Sequence, residues 1–118
     1  MIKYLLIILV LVVQGCYYDA ENDLYPFSNT NCDNVKGTYS TEVLPLMETK
    51  CKSCHTGASA GGGILIENYD QTKANAAKIL TSINHSTGVS AMPKGEPIMP
   101  ICEIKKFQKW VDNGTPNN

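Results

Sequence analysis

Two cysteines and a histidine stand at a spacing that can attach a porphyrin. The run Cys51-Lys52-Ser53-Cys54-His55 has the form C-x-x-C-H, which is typical of c-type haem attachment. Two thiols separated by two residues can add across the two vinyl groups of a porphyrin, and the adjacent imidazole can bind the iron. We therefore predict one covalent haem c, attached to Cys51 and Cys54, with His55 as the proximal iron ligand.

Other uses of a C-x-x-C pair are less favoured by the sequence. A thioredoxin-like redox pair is expected in a βαβ setting, and no strand-rich run precedes Cys51. A structural zinc site needs four ligands, usually with a second cysteine or histidine pair, and the chain contains no such second pair. A chance match is the remaining alternative in a chain with five cysteines.

The composition excludes one class of partner. The chain has 118 residues, which is room for one domain, and a formal net charge of -1. Every basic residue is a lysine, and neither a basic patch nor an arginine cluster is present, so we expect no nucleic-acid partner. A chain of this size buries a modest core, to which a covalent porphyrin would add a large apolar body.

The N-terminal residues predict export. Lys3 is followed by an unbroken apolar run over residues 5–13, which is too short to span a bilayer but suits a secretory signal. The run V-Q-G-C at residues 13–16 resembles the lipobox of bacterial lipoproteins. That resemblance implies a lipoprotein signal peptide over residues 1–15 and acylation of Cys16 after cleavage. A buried N-terminal strand or helix is the alternative.

Residues 16–37 are predicted to form a flexible tether. They are polar, rich in Asn and Asp, interrupted by Pro26, and show no regular periodicity. Three acids follow closely after Cys16, where some lipoproteins carry a surface-export signal. An ordinary solvated linker is the favoured explanation of these acids.

Residues 38–116 are predicted to form one helical domain. Ser40 or Thr41 is expected to cap a first helix, and Pro45 to make its first turn irregular. Apolar residues at helical spacing then lead into the haem motif: Leu44, Met47 and Cys51. A glycine-rich loop over residues 57–63 either passes the porphyrin edge or is a mobile surface loop.

The second half of this domain is expected to contain two more helical segments. Residues 69–84 have helical periodicity, with Asp70 as a candidate cap and a break near Asn75. Residues 85–100 hold three prolines and two glycines and cannot form a continuous helix. The helical pattern returns at Ile101 and stops at Asn113-Gly114.

Together these features resemble a small class I cytochrome c, an all-α fold of three to four helices wrapped around one covalent haem. In that family a proline-rich loop presents the distal methionine, and an aromatic residue packs the last helix on the first. Met92-Pro93 matches the former and Trp110 the latter. The resemblance implies His55 and Met92 as the two axial ligands. The short segment between these two residues and the extra cysteines depart from the family pattern.

Three further residues bear on the site. Met99 and His85 are alternatives to Met92 as the sixth iron ligand, although Met99 is better explained by core packing and His85 as a surface or hydrogen-bonding residue. With Cys16 assigned to lipid and two cysteines to haem, Cys32 and Cys102 are left over. Export to an oxidising compartment favours a disulfide between them, and two free thiols are the alternative.

The resemblance implies electron transfer rather than enzymatic catalysis. A haem with both axial positions filled by protein has no open site for a substrate. The expected partners are redox proteins of a respiratory or extracytoplasmic electron-transfer chain, with the protein lipid-anchored to a bacterial membrane and facing the periplasm or the cell surface. One alternative is a haem-based small-ligand sensor or peroxidase-like domain with an open distal site, against which the lack of arginine weighs. A thiol–disulfide protein without haem is the other.

Overall fold

The computed structural model describes residues 31–118, and its regular structure is helical throughout. A π-helical turn, Tyr39–Val43, leads directly into the first of four α-helices. These are α1 (Leu44–Lys50), α2 (Tyr69–Ala74), α3 (Ala76–Ile83) and α4 (Ile101–Asp112), with a short 3-10 turn at Gly61–Gly63. No strand occurs in residues 31–118, so the all-α class is confirmed. The proposed signal peptide, Cys16 and the tether up to residue 30 lie outside the described residues.

The core forms where α3, α4 and the segment from Tyr39 through α1 meet. Trp110 on α4 is fully buried, and its ring lies 5.6 Å from that of Tyr39 and 5.4 Å from that of Phe107, between centroids. Its Nε1 donates a hydrogen bond to the Pro116 carbonyl, so the one polar atom of the side chain is satisfied. Most other large buried apolar side chains come from the same elements: Val43, Leu46, Met47, Ile79, Ile83 and Ile104. Ile66 and Met99 join this core from the loops.

The start of the first helix is irregular, as Pro45 predicts. The amide of Val43 donates to the Thr38 carbonyl five residues back, and Pro45 has no amide hydrogen with which to continue an α-helical ladder. The prediction that Ser40 or Thr41 caps this helix is wrong. Instead the Glu42 carboxylate turns back and accepts backbone hydrogen bonds from residues 36–38.

The two middle helices break where the sequence predicts. Asn75 separates α2 from α3, with φ −103° and ψ 6°, and its side chain donates to the Gln71 carbonyl. The prediction of Asp70 as the cap of α2 is wrong, because Asn68 takes that place and accepts from the Gln71 amide at 3.0 Å. The helix begins at Tyr69, as its periodicity predicts, which puts Asp70 in the first turn rather than at the cap.

Residues at the end of the predicted tether lie against α4. The Asn113 side chain donates to the Lys36 carbonyl, and Gly37 passes so close to Lys109 and Trp110 that a Cβ there would lie 2.7 Å from their backbone atoms. Cys32 and Cys102 are at disulfide distance, with their Cα atoms 5.5 Å apart. Within residues 31–118, no helix has both the length and the apolar character that a bilayer crossing requires.

Candidate haem-attachment site

The C-x-x-C-H motif lies in tight turns directly after α1. The first helix leads into this motif, as the sequence predicts, and α1 ends at Lys50, directly before Cys51. The reason is visible in the hydrogen bonds, because the Lys52 amide bonds to the carbonyl of Met47 five residues back. The chain stays compact nonetheless, since the amides of Cys54 and His55 both donate to the Cys51 carbonyl.

The His55 imidazole is oriented by the loop that follows it. Its Nδ1 lies 2.8 Å from the Ile64 carbonyl oxygen, which can only accept, so Nδ1 carries the proton. The loop returns beside the motif because the amide of Gly61 donates to the Cys54 carbonyl and that of Ile66 to the His55 carbonyl. This arrangement leaves Nε2 with a free lone pair, which is the condition for a histidine to bind a metal ion.

A cavity of about 690 Å³ opens beside the motif, within the range of roughly 300–1,000 Å³ that ligand pockets span. Cys51, Cys54 and His55 line it together with Met92. Aliphatic and thioether side chains make up much of the remaining wall: Ile64, Ile66, Ile79, Ile83, Val89 and Met99. The cavity thus brings two cysteines, one histidine and two methionines together with apolar side chains, a set of residues that fits a c-type haem.

The two thiols of the motif differ in their surroundings. Cys51 is half-buried against the core and Cys54 is exposed, and neither is in a disulfide. Burial raises the pKa of the Cys51 thiol to about 11. A redox-active pair of the thioredoxin type depends on a thiol of lowered pKa, so the environment of Cys51 disfavours that alternative.

Met92 is held at the cavity by its backbone. Its amide donates to the Ser82 carbonyl at the end of α3, and its own carbonyl lies 3.2 Å from His85 Nε2. Met99 also lines the cavity, but it is only 4% exposed and belongs to the core. His85 is absent from the lining formed by the described residues. His85 thus takes the hydrogen-bonding role, one of the two that the sequence favours for it, and the choice of sixth ligand stays a prediction.

Several features of the site carry no signal in the sequence. The carbonyls of Ile64 and Ser82 orient His55 and Met92, yet a backbone acceptor can belong to any residue type. Charged side chains also reach the cavity lining: Lys50, Lys78, Lys94 and Glu96. Lys50 Nζ lies 3.9 Å from Glu96 Oε2, and both side chains are about half exposed, so this ion pair contributes little to stability.

No known protein family, curated protein or solved structure matches this chain. The assignment of the site therefore rests on its own residues and their geometry.

Proposed function

We propose that this protein is a monohaem c-type electron-transfer protein, lipid-anchored outside the cytoplasm. The observation that carries the proposal is that a single cavity is lined by Cys51, Cys54, His55 and Met92. These residues come from two separate segments of the chain, and each has a distinct part in attaching or ligating a haem.

Each residue has a role that follows from its chemistry. Cys51 and Cys54 would hold the porphyrin through two thioether bonds. His55 would bind the iron through Nε2, because its Nδ1 is engaged with the Ile64 carbonyl. Met92 would supply a thioether sulfur, a soft donor that favours ferrous iron and raises the reduction potential relative to a second histidine.

A c-type haem with both axial positions filled supplies reversible one-electron exchange. The chain's contribution is to surround it with an apolar wall and to leave one side accessible. Cys54 is exposed and Val89 is 43% exposed, and both line the cavity, so the cavity meets solvent at their side. A redox partner protein could approach there.

The proposed location and partners follow from the N-terminal sequence. A lipid on Cys16 would hold the domain at a bacterial membrane, facing the periplasm or the cell surface, within reach of the redox proteins of an extracytoplasmic chain. The intact mass of the protein purified from membranes tests this. A mature N-terminus at Cys16 with acyl groups is expected, whereas an unmodified N-terminus at Tyr17 or later contradicts it.

The electron-transfer proposal is tested by spectra of protein produced in a host that attaches haem c. Sharp ferrous low-spin bands and a reversible one-electron titration are expected. A five-coordinate, high-spin spectrum would instead indicate the sensor or peroxidase-like alternative with an open distal site. A protein without a Soret band would indicate the thiol–disulfide alternative.

A further inference from the structure

We propose that His85 is a positioning residue that holds Met92 at the cavity by donating a hydrogen bond from Nε2 to the Met92 carbonyl. The inference rests on the proposed function, because it takes Met92 as the distal iron ligand. His85 acts through Met92 and not on the iron, since His85 is not among the described residues that line the cavity.

Both backbone polar groups of Met92, its amide and its carbonyl, are hydrogen-bonded to residues at the end of α3. Its amide donates to the Ser82 carbonyl at 3.0 Å, and its carbonyl accepts from His85 Nε2 at 3.2 Å. A carbonyl oxygen can only accept, so the imidazole is the donor. Within residues 31–118, the Met92 carbonyl accepts no other hydrogen bond.

The backbone of His85 is itself fixed by the end of α3. Its amide donates to the Ser82 carbonyl, and the next amide, of Ser86, donates to the Thr81 carbonyl, both at 3.1 Å. These two bonds form a Schellman motif, whose residue after the cap adopts a left-handed conformation. His85 has that conformation, with φ of 51°. The imidazole therefore extends from a rigid backbone position.

The rest of the methionine loop, the segment over residues 84–100 between α3 and α4, has few contacts that fix its position. Residues 86–91 and 94–97 are exposed, and no helix or strand forms between α3 and α4. The two bonds from Met92 to the end of α3 are therefore a main restraint on where its thioether lies. Loss of the His85 bond would leave the Met92 carbonyl without its protein partner and make the sulfur easier to displace from iron.

The test compares two substitutions that differ in where they place an N–H donor. His85→Gln keeps a donor at the same number of bonds from Cα as Nε2. His85→Asn has a shorter side chain that cannot reach the Met92 carbonyl, and asparagine tolerates the left-handed backbone, so it adds little strain. Ser86→Ala is the matched control, because this exposed neighbour makes no side-chain hydrogen bond with the described residues.

The measurements are the weak methionine–ferric haem charge-transfer band and the Kd for imidazole added as a competing ligand. His85→Asn is expected to weaken the band and to bind imidazole about two- to tenfold more tightly, the range for one lost hydrogen bond. His85→Gln and Ser86→Ala are expected to match the wild type.

Two results would overturn the inference while leaving Met92 as the ligand. One is a His85→Asn variant with the wild-type band and imidazole Kd, and the other is a His85→Gln variant that behaves like His85→Asn. Failure of the proposed ligation looks different: the wild type itself lacks the band, and Met92→Ala leaves the imidazole Kd unchanged. That result would overturn both proposals.

Discussion

Cys32 and Cys102 are separated by 70 positions in the sequence, yet their Cα atoms lie 5.5 Å apart. This separation is in the range that a disulfide spans. The pair joins the segment before the first helix to the first turn of α4. It thereby connects the end of the predicted tether to the helix that carries Trp110.

We expect this pair to be oxidised in the exported protein. Closing a loop of 70 residues stabilises a fold by about 4 kcal/mol in the chain-entropy account. The free energy of unfolding of a Cys32→Ser/Cys102→Ser variant, measured in denaturant, should therefore be lower than that of the wild type by up to this amount. Titration of thiols in the denatured, unreduced protein checks the oxidation state directly. Two additional reactive thiols in the wild type relative to the double variant would show that no bridge forms.

Gly37 should be among the least replaceable residues outside the candidate haem site. It has φ of +72° and approaches the backbone of α4, where a Cβ would lie 2.7 Å from Trp110 N. Gly57 has a similar φ of +66° but open space around it, so it serves as the control. We expect Gly57→Ala to cost about 1–2 kcal/mol of unfolding free energy from the backbone alone. Gly37→Ala should cost roughly 1–3 kcal/mol more because of the clash. Equal costs in urea unfolding would contradict the close packing on α4.

Substitutions of Met92 and Met99 should distinguish a role in iron ligation from a role in core packing. Met92→Ala is expected to abolish the methionine–ferric haem charge-transfer band with a modest loss of stability. Met99→Ala should keep the band but lower the unfolding free energy by about 2–5 kcal/mol, because Met99 is only 4% exposed within the core. The reverse spectral pattern would assign the ligand to Met99. A wild type with no such band would point to His85 or to an open distal site.

Glu42 should make stability depend on pH. Burial alone would raise its pKa, but backbone hydrogen bonds from Thr38, Lys36 and Gly37 and the charge of Lys106 lower the pKa of Glu42 below its ordinary value of 4.5. A lowered pKa in the folded state means that the charged carboxylate stabilises the fold above pH 4.5, and that this contribution is lost as the pH falls through the lowered value.

The corresponding substitution is Glu42→Gln. At neutral pH we expect it to cost about 1 kcal/mol, comparable to the loss of a helix cap, and the difference from the wild type should shrink below pH 4.5. Glu48→Gln in the adjoining α1 is the control, because Glu48 makes only a surface ion pair with Lys52 within the described residues. A pH-independent difference at Glu42, or an equal effect at Glu48, would contradict this account.

Much of the fold could be predicted because it depends on periodicity and chain-breaking residues. The break of α2 from α3 at Asn75, the irregular turn before Pro45 and the extent of α4 all follow from the side chains present. Both predicted helix caps failed for a common reason. Several polar residues near each helix start can accept a hydrogen bond, and only the path of the preceding chain selects Asn68 and Glu42.

Of the candidate site, only the side chains that would attach the haem or bind its iron could be predicted from the sequence. Cys51, Cys54, His55 and Met92 are recognisable by type and spacing, and the structure brings all four to one cavity. What orients two of them was not predictable, because the Ile64 and Ser82 carbonyls belong to the backbone. The lysines of the cavity lining were missed as well, since their approach depends on how α1, α3 and the methionine loop come together.

Covalent attachment of one haem at Cys51 and Cys54 is the central claim, and the intact mass of the denatured protein tests it most directly. Protein made in a host that attaches haem c should carry the mass of one haem beyond the polypeptide and its lipid. A Cys51→Ala/Cys54→Ala variant should lack that mass, and a Cys32→Ser/Cys102→Ser variant should retain it. A wild-type protein without the haem mass, or a Cys51→Ala/Cys54→Ala variant that keeps it, would contradict the assignment.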